Sequence, residues 1–445
     1  MVLGFGSSNK VSRSKSSDED TPNSSDVDKL SMKNLDTAEK GQFKEFKEFL
    51  KVVISFTGDL SSLTCPAFFL NGLSLLEYGT YWGDHPSTFT AINDAKIPEG
   101  NVAHDLTIFE QDDFQNKHAK MYRISHSSER LLAISRWFIS TLYGSYASRC
   151  TDGKYEKKPY NPILGEQFHC DMGNAKCVCE QVCHHPPISA FYLEDEKAGV
   201  SLNGHSGQKS KFKGTSIKVE QVGRAVLYLK NFDEQYMIDF PDLLIRGVLT
   251  GGAYIELGGS CTIIGSNGTK AVIEFVPKPW FGGEYNHIKG SLYAGGKLCY
   301  NLSGRWSHQS FFSKPSNDAN AKKELLFDAE AEAMADRVTV PVEEQGELET
   351  HKIWGPVTEA LKEKNYKIAN AEKTKIEDWQ RGVRKEREEK KEVWEPKLFV
   401  FEKDIDGPKG SEYQTKNADL KKNIDSKHHL DAGAWTYNKS LHLRQ

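Results

Sequence analysis

Short apolar stretches separated by glycine-rich turns fill the middle of the chain, from about residue 162 to residue 312. Turn sequences such as Asn267-Gly268, Gly251-Gly252 and Ala294-Gly295-Gly296 separate these stretches, which cover residues 225–229, 244–249, 254–257, 262–264, 272–276 and 298–302. Runs of this length and spacing predict a meandering antiparallel sheet. A sheet of that many strands has to curl, split or close on itself, and the pattern alone does not distinguish a barrel from a sandwich.

Segments with helical periodicity flank this predicted sheet. Residues 42–57 place an apolar face opposite lysines and a glutamate, which predicts either a helix packed on the core or a helix that contacts lipid. That face carries Phe43, Phe46, Phe49, Leu50, Val53, Ile54 and Phe56, and Gly58 ends the segment. Residues 73–82 and 127–146 predict packing helices, the second with Ser127 as its N-cap. Residues 322–336 and 367–392 predict long, charged helices.

Charge and hydropathy exclude several classes of protein. The 445 residues carry a net charge of -4, which provides no electrostatic footprint for nucleic acid. No apolar run approaches the roughly 20 residues that a membrane-spanning helix needs. The first residues lack the apolar core of a secretory signal, and the eight cysteines are expected to be reduced thiols, so we expect a cytoplasmic protein.

The sequence EQVCHHPPISA at residues 180–190 brings two adjacent histidines, His184 and His185, to a predicted strand end at two prolines. They could be ordinary surface side chains, or they could donate hydrogen bonds to an anion. Zinc is a third interpretation, because His169, Cys170, Cys177, Cys179 and Cys183 lie nearby, although Cys177-x-Cys179 is tighter than the usual ligand spacing. A hydrolase that uses Cys183 is a fourth, but adjacent residues make a poor catalytic dyad.

Two further patterns place cationic side chains in defined positions. In KKPYNPILGE, at residues 157–166, prolines stiffen a loop that carries Lys158 and Asn161. Lys373, Glu377 and Arg381 follow a spacing of four residues and therefore share one face of a helix. Taken separately, the first pattern is equally typical of an ordinary turn and the second of a solvated helix face.

Together these three patterns resemble the signatures of the oxysterol-binding protein family, whose members exchange lipids. EQVCHHPP is similar to the family sequence EQVSHHPP, with Cys183 in place of a serine. The resemblance implies that a phosphoinositide headgroup is bound by Lys158, Asn161, His184, His185, Lys373, Glu377 and Arg381.

The resemblance also implies the fold: mainly β with helical additions, as a large, nearly closed antiparallel β-barrel around a lipid tunnel, with an N-terminal helical lid and a C-terminal helical subdomain. Trp82, Tyr146, Ser145 and Gln221 match tunnel positions of the family. Ser145 and Ser206 stand where sterol-binding relatives have glutamine and asparagine. The lid residues are Phe43, Phe46, Phe49, Leu50 and Val53.

These expectations divide the chain into a disordered, Ser/Asp-rich tail at residues 1–40, the lid helix at 41–57 and a helical packing segment at 58–150. The β-barrel core then covers residues 151–315 and the helical subdomain residues 316–445, so that 58–445 form one lipid-binding domain.

The expected function is exchange of sterol for phosphatidylinositol 4-phosphate between organelle membranes. The chain would act without enzymatic activity, cofactor or metal, as a monomer that touches membranes transiently. We expect it to be peripheral on the endoplasmic reticulum, the Golgi or their contact sites. The alternatives are exchange of the phosphoinositide for another lipid, such as phosphatidylserine, and a lipid sensor without net transport.

Overall fold

A computed structural model describes residues 37–60, 63–94, 113–149, 157–184, 187–248, 254–279, 282–318, 321–403 and 433–441. The predicted disordered tail lies almost entirely outside these residues. Within them, no helix is both long enough and apolar enough to cross a membrane.

One antiparallel sheet of thirteen strands, β3 to β15, dominates the structure. Its strands are β3 (Gln167–Met172), β4 (Ala175–His184), β5 (Pro187–Asp195), β6 (Val200–Lys213), β7 (Ser216–Leu229), β8 (Glu234–Ile238), β9 (Asp242–Arg246), β10 (Tyr254–Gly265), β11 (Thr269–Val276), β12 (His287–Ala294), β13 (Lys297–Arg305), β14 (Gln309–Ser313) and β15 (Glu324–Asp328). Neighbours in sequence pair with each other except β8 and β9, which both lie between β7 and β10 and pair with each of them. The predicted meander is therefore confirmed.

Two of the predicted turns join strands where the sequence places them, whereas Gly251-Gly252 lies outside the described residues. Asn267-Gly268 connects β10 to β11, and Gly295-Gly296 connects β12 to β13 with both glycines at positive φ. The predicted stretches 254–257 and 262–264 turn out to be one strand, β10, which bends at Gly259 with a φ of 75°. The sequence pattern predicts two separate stretches here because Gly258 and Gly259, which lie between them, are typical of a turn.

Five α-helices accompany the sheet in the described part of the chain. They are α1 (Thr37–Ser55), α2 (Pro86–Asp94), α3 (Asp113–Ala147), α4 (Thr350–Lys362) and α5 (Tyr366–Lys390), together with 3-10 helices at Ala67–Phe69, Leu75–Trp82, Val342–Glu344 and Lys439–Leu441. Trp137 of α3 shares one continuous core with Phe168 of β3 and Phe327 of β15. Because the first and last strands reach the same core, the sheet curls around α3; no ladder joins β3 to β15 in the part of the chain that is described.

Two helix predictions are wrong. Residues 322–336 form strand β15 and the turns after it, because Leu326 and Phe327 are buried in the core and the strand pairs with β14. Ser127 is not an N-cap, because α3 begins fourteen residues earlier, at Asp113. The periodic apolar pattern covers the part of α3 with Leu131, Ile134 and Trp137, which are buried in the core.

Other helix predictions are close to the observed bounds. The lid segment 42–57 falls on α1, which ends at Ser55, and the segment 367–392 is α5. In the segment 73–82, Ser74 forms a capping box with Glu77 and starts the 3-10 helix Leu75–Trp82.

Two small sheets flank the large one. The strands β1 (Leu70–Ser74) and β2 (Lys158–Tyr160) are parallel, whereas β16 (Phe399–Lys403) and β17 (Gly433–Tyr437) are antiparallel. The first pair packs on α4, where Trp354 stacks on Tyr160 with ring centroids 4.5 Å apart. This secondary core places the start of α5 beside β2.

Candidate functional site

The cationic side chains predicted from separate motifs meet at one place. Lys158 on β2 donates a hydrogen bond from Nζ to Oδ1 of Asn161 at 2.6 Å. On α5, Lys373 donates from Nζ to Oε1 of Glu377 at 2.6 Å, and Nη2 of Arg381 lies 3.6 Å from Oε2 of the same carboxylate. Burial lowers the pKa of Lys158, and the positive charge of Lys373 lowers it further, so the two ammonium groups lie near each other. We call these five residues the cationic cluster.

Contacts at the start of α5 hold the helix against the segment before β1. Asn365 caps the helix by accepting from the backbone N–H of Ile368, and Oδ1 of Asn370 accepts from the N–H of Ala67 at 3.0 Å. Cys65 is buried beside these contacts; burial raises the pKa of its thiol, and the charges of Lys158 and Lys373 oppose that rise. The segment before β1 is therefore part of the frame around the cationic cluster.

His184 is the last residue of β4 and lies opposite Pro187 in the antiparallel register, as predicted for a strand end. His185 lies outside the described residues. Two backbone hydrogen bonds tie the histidine motif to the lysine motif: Gly165 donates to the carbonyl of Gln181, and Gln181 donates to that of Glu166, both at 2.9 Å. His184 thus follows a strand segment bonded to the loop that carries Lys158 and Asn161.

Glu166, at the end of the lysine motif, is fully buried and accepts four hydrogen bonds. Ser74 Oγ donates at 2.5 Å, Thr350 Oγ1 and Trp354 Nε1 at 2.9 Å each, and the N–H of Ile163 at 3.0 Å. Burial raises the pKa of this carboxyl, while the four donors lower it. One side chain therefore joins the proline-stiffened loop to α4 and to the cap of the helix Leu75–Trp82.

Glu180, at the start of the histidine motif, is also fully buried, but its hydrogen-bond donors are backbone groups. Its two carboxylate oxygens accept from the backbone N–H groups of Lys397 and Leu398 at 2.7 and 2.8 Å. Burial raises the pKa of Glu180 to about 7. The first residue of the motif therefore fixes the chain that leads into β16.

A cavity of about 1130 Å³, its open mouth included, lies between the sheet, α3 and the helix Leu75–Trp82. All four predicted tunnel residues line it: Trp82, Ser145, Tyr146 and Gln221. Trp82 stacks on Phe191, and Gln221 is held by a 2.8 Å hydrogen bond from Nε2 to the carbonyl of Pro241.

Helix α1 packs beside this cavity. Leu50 is buried with Val248, and Phe46 and Ile54 pack against Ile217 of β7 and Ile245 of β9. The helix thus covers strands whose neighbouring residues, Gln221 and Leu243, line the cavity. Phe49 packs on Phe69 and Val53 is buried, whereas the side chain of Phe43 lies outside the described residues.

Three residues important to the site were not singled out from the sequence. Glu166 and Glu180 lie inside the recognised motifs, and their burial could have been suspected from their place within apolar surroundings. Arg149 lines the cavity and also lowers the pKa of Lys158 by repulsion, so it links the two parts of the site. Among the described residues, no three His, Cys, Asp or Glu side chains are arranged to hold a metal ion.

The fold and the site together define the class of this protein. It is a β-sheet protein in which a curled antiparallel sheet encloses a cavity next to a charged cluster. The family model of the oxysterol-binding protein matches residues 47–424. The chain belongs to the oxysterol-binding protein family.

Curated relatives match over most of their length. Protein KES1 of Mycosarcoma maydis is 36% identical over 358 residues, which cover 78% of this chain and 85% of that protein. Protein kes1 of Schizosaccharomyces pombe is 36% identical over 376 residues, with 83% and 89% covered.

Solved structures share the fold. The Osh1 ORD domain in complex with cholesterol superposes with a TM-score of 0.63 at 22% identity, covering 88% of this chain and 86% of that one. The Osh3 ORD of Saccharomyces cerevisiae in complex with PI(4)P gives a TM-score of 0.57 at 21% identity, covering 84% and 93%. The expected fold class, mainly β with helical additions, is thus confirmed.

Proposed function

We propose that this protein exchanges sterol for phosphatidylinositol 4-phosphate between membranes, without chemical conversion of either lipid. The observation that carries the proposal is that β2 with Lys158 and the start of α5 with Lys373, from motifs more than two hundred residues apart, share one core, and that the residue before Lys158 bonds the backbone of Arg149 in the cavity wall. Solved relatives of the same fold hold cholesterol in one case and PI(4)P in another. The cationic cluster would bind the headgroup together with His184 and His185, and the cavity would take the apolar part of either lipid.

The energetics favour binding of one lipid at a time. Four to six charge-assisted hydrogen bonds, at roughly 1.5–3 kcal/mol each, would offset the cost of removing a charged headgroup from water. The acyl chains leave one hydrocarbon environment for another, so their transfer contributes little net free energy. Neither lipid is then bound irreversibly, and each can displace the other as the protein moves between membranes.

Liposome extraction with purified protein tests this proposal. Lys373→Met removes a buried ammonium group of the cationic cluster and is expected to lower phosphatidylinositol 4-phosphate extraction at least tenfold, with sterol extraction retained. Lys375→Met is the matched control, because Lys375 is exposed on the same helix and pairs only with Glu372. Failure of the wild-type protein to extract the phosphoinositide, or equal extraction by all three proteins, would contradict the proposal.

We propose that α1 is the lid over the cavity, with Phe43, Phe46, Phe49, Leu50 and Val53 on its inner face. Its apolar contacts with β7 and β9, next to the residues that line the cavity, support this role. Deletion of residues 42–57 is then expected to shorten the retention of bound sterol more than that of the phosphoinositide. Equal effects on both lipids would mean that α1 is only a packing helix.

Ser145 and Ser206 favour a second candidate, exchange of phosphatidylinositol 4-phosphate for another lipid such as phosphatidylserine. Both serines line the cavity, where they leave more space and fewer amide groups than glutamine and asparagine would. Mass spectrometry of the lipids that co-purify with the protein distinguishes the candidates. A two-liposome assay that detects binding without transfer would instead favour a sensor.

A further inference from the structure

Arg149 lies at the junction between the cavity and the cationic cluster. It follows the end of α3, is 9% exposed and contributes to the cavity wall. Its carbonyl accepts a 2.7 Å hydrogen bond from the N–H of Lys157, which fixes it next to the strand that carries Lys158. Its positive charge is close enough to Lys158 to lower the pKa of that side chain.

The guanidinium of Arg149 stacks over the ring of Tyr78, with Cζ 4.7 Å from the centroid. A polar frame orients that ring: Asn71 Nδ2 donates to the hydroxyl of Tyr78 at 3.0 Å, and Ser148 Oγ donates to it at 3.4 Å. The stack fixes the guanidinium of this cavity-lining residue against the ring.

No carboxylate within the described ranges pairs with Arg149. The comparison with other arginines is informative, because Arg130 pairs with Glu234 at 2.6 Å and Arg246 with Glu256 at 2.8 Å. A buried cation without a counter-charge is costly, and such a charge is usually neutralised by a partner. Among the described residues Arg149 has no such partner, and its side chain borders the cavity.

We propose that Arg149 binds the phosphodiester of a glycerophospholipid where the acyl chains enter the cavity, and that this contact makes the site favour an anionic phospholipid over a neutral lipid. The inference rests on the proposed function, because the headgroup beyond the phosphodiester would occupy the cationic cluster. Guanidinium binds two phosphate oxygens at once, whereas a sterol hydroxyl offers a single neutral oxygen. The buried charge would therefore be neutralised only in the phospholipid complex.

The test compares Arg149→Gln and Arg149→Lys with Arg136→Gln. Arg136 is the matched control, since it lies on α3 and pairs with Glu332 at 2.8 Å away from this cavity. Arg149→Gln is expected to lower the affinity for phosphatidylinositol 4-phosphate in liposomes about tenfold or more while sterol affinity stays constant or rises. Arg149→Lys should recover part of the loss, and Arg136→Gln should behave as the wild type.

Thermal unfolding of the same variants separates ligand binding from folding. Because Arg149→Gln removes an unneutralised buried charge, its melting temperature without lipid is expected to equal or exceed that of the wild type. A lower melting temperature together with equal losses of sterol and phosphoinositide would show a structural role and overturn the inference. Unchanged phosphoinositide affinity would also overturn it, and would leave the proposed function intact if the wild type still extracts the lipid.

A soluble phosphate is the other possible source of the same chemistry. Titration with deacylated glycerophosphoinositol 4-phosphate distinguishes it from the lipid. If Arg149→Gln weakens binding of the soluble compound but extracts the lipid as well as the wild type does, the assignment to a membrane phospholipid is wrong. Weaker binding of the lipid, with or without that of the soluble compound, supports it.

Discussion

The lysine motif at residues 157–166 and the histidine motif at residues 180–190 are built on the same plan with different donors. Each pairs side chains proposed to bind the ligand with one buried glutamate. Glu166 accepts from three side chains and one backbone N–H, which come from three separate segments. Glu180 accepts from the backbone N–H groups of one short segment, at Lys397 and Leu398.

Each motif thus contains a buried glutamate that attaches it to the rest of the fold, and we call this glutamate the anchor of the motif. The two anchors differ in the kind of donor that they bind. Side-chain donors can be removed by substitution, so the anchor at Glu166 depends on the identity of Ser74, Thr350 and Trp354. Backbone donors are present whatever residue occupies the position, so the anchor at Glu180 depends only on the path of the chain. The two anchors should therefore respond differently to substitution.

Of the substitutions that test this comparison, Glu166→Ala is expected to reduce the stability of the protein most. It would remove an acceptor from four buried donors, in the loop of the cationic cluster, in α4 and in the cap at Ser74; the hydroxyl of Thr350 retains the carbonyl of Gln167 at 3.1 Å. We expect a loss of about 3–5 kcal/mol in the free energy of unfolding, measured by urea denaturation. Glu359→Ala, at an exposed glutamate of α4, should change stability by less than about 0.5 kcal/mol. A folded Glu166→Ala protein with wild-type stability would remove Glu166 from the role of anchor.

The sequence predicted the cationic cluster well because its members lie in compact motifs. Fixed spacing within a loop or along one helix face places Lys158 beside Asn161 and Lys373 beside Glu377 without knowledge of the fold. That the two pairs meet depends on how β1, β2 and α5 pack. Only the family resemblance provided that part.

Other parts of the structure depend on contacts distant in sequence. The strand β15 has charged residues around a short apolar run, which is also typical of a helix, and pairing with β14 decides between them. Arg149 carries no motif at all, and its significance comes from its place in the cavity wall without a paired carboxylate among the described residues. Glu166 and Glu180 were visible in the motifs, but a glutamate in a motif suggests ligand contact before it suggests burial.

Glu180 is also expected to make the stability of the protein depend on pH. Burial raises the pKa of Glu180 to about 7 from a model-peptide value of 4.5. The folded state therefore retains a proton that the unfolded state loses, and this stabilising contribution is complete below pH 4.5. It is lost as the pH rises to about 7, by about 3 kcal/mol in total.

Glu180→Gln cannot titrate, so urea denaturation between pH 4.5 and pH 8 isolates this contribution. The difference in unfolding free energy between the wild type and the variant should shift against the wild type as the pH rises. A difference that is constant over this range would show that Glu180 keeps an ordinary pKa in the folded protein. Raised pKa values at other groups, such as His351, affect both proteins equally and cancel.

Thr350→Val is expected to have the smallest effect, and it tests whether the anchor at Glu166 depends on individual side chains. The substitution keeps the shape of the residue but removes the hydroxyl that donates to Oε1 of Glu166 at 2.9 Å. Three donors remain, so we expect a loss of about 1 kcal/mol in the free energy of unfolding. Thr374→Val is the control, since that exposed hydroxyl bonds only the carbonyl of Asn370 on its own helix. Equal stability changes in the two variants would mean that the donors around Glu166 compensate for one another, so that this anchor, like the one at Glu180, tolerates the loss of a single side chain.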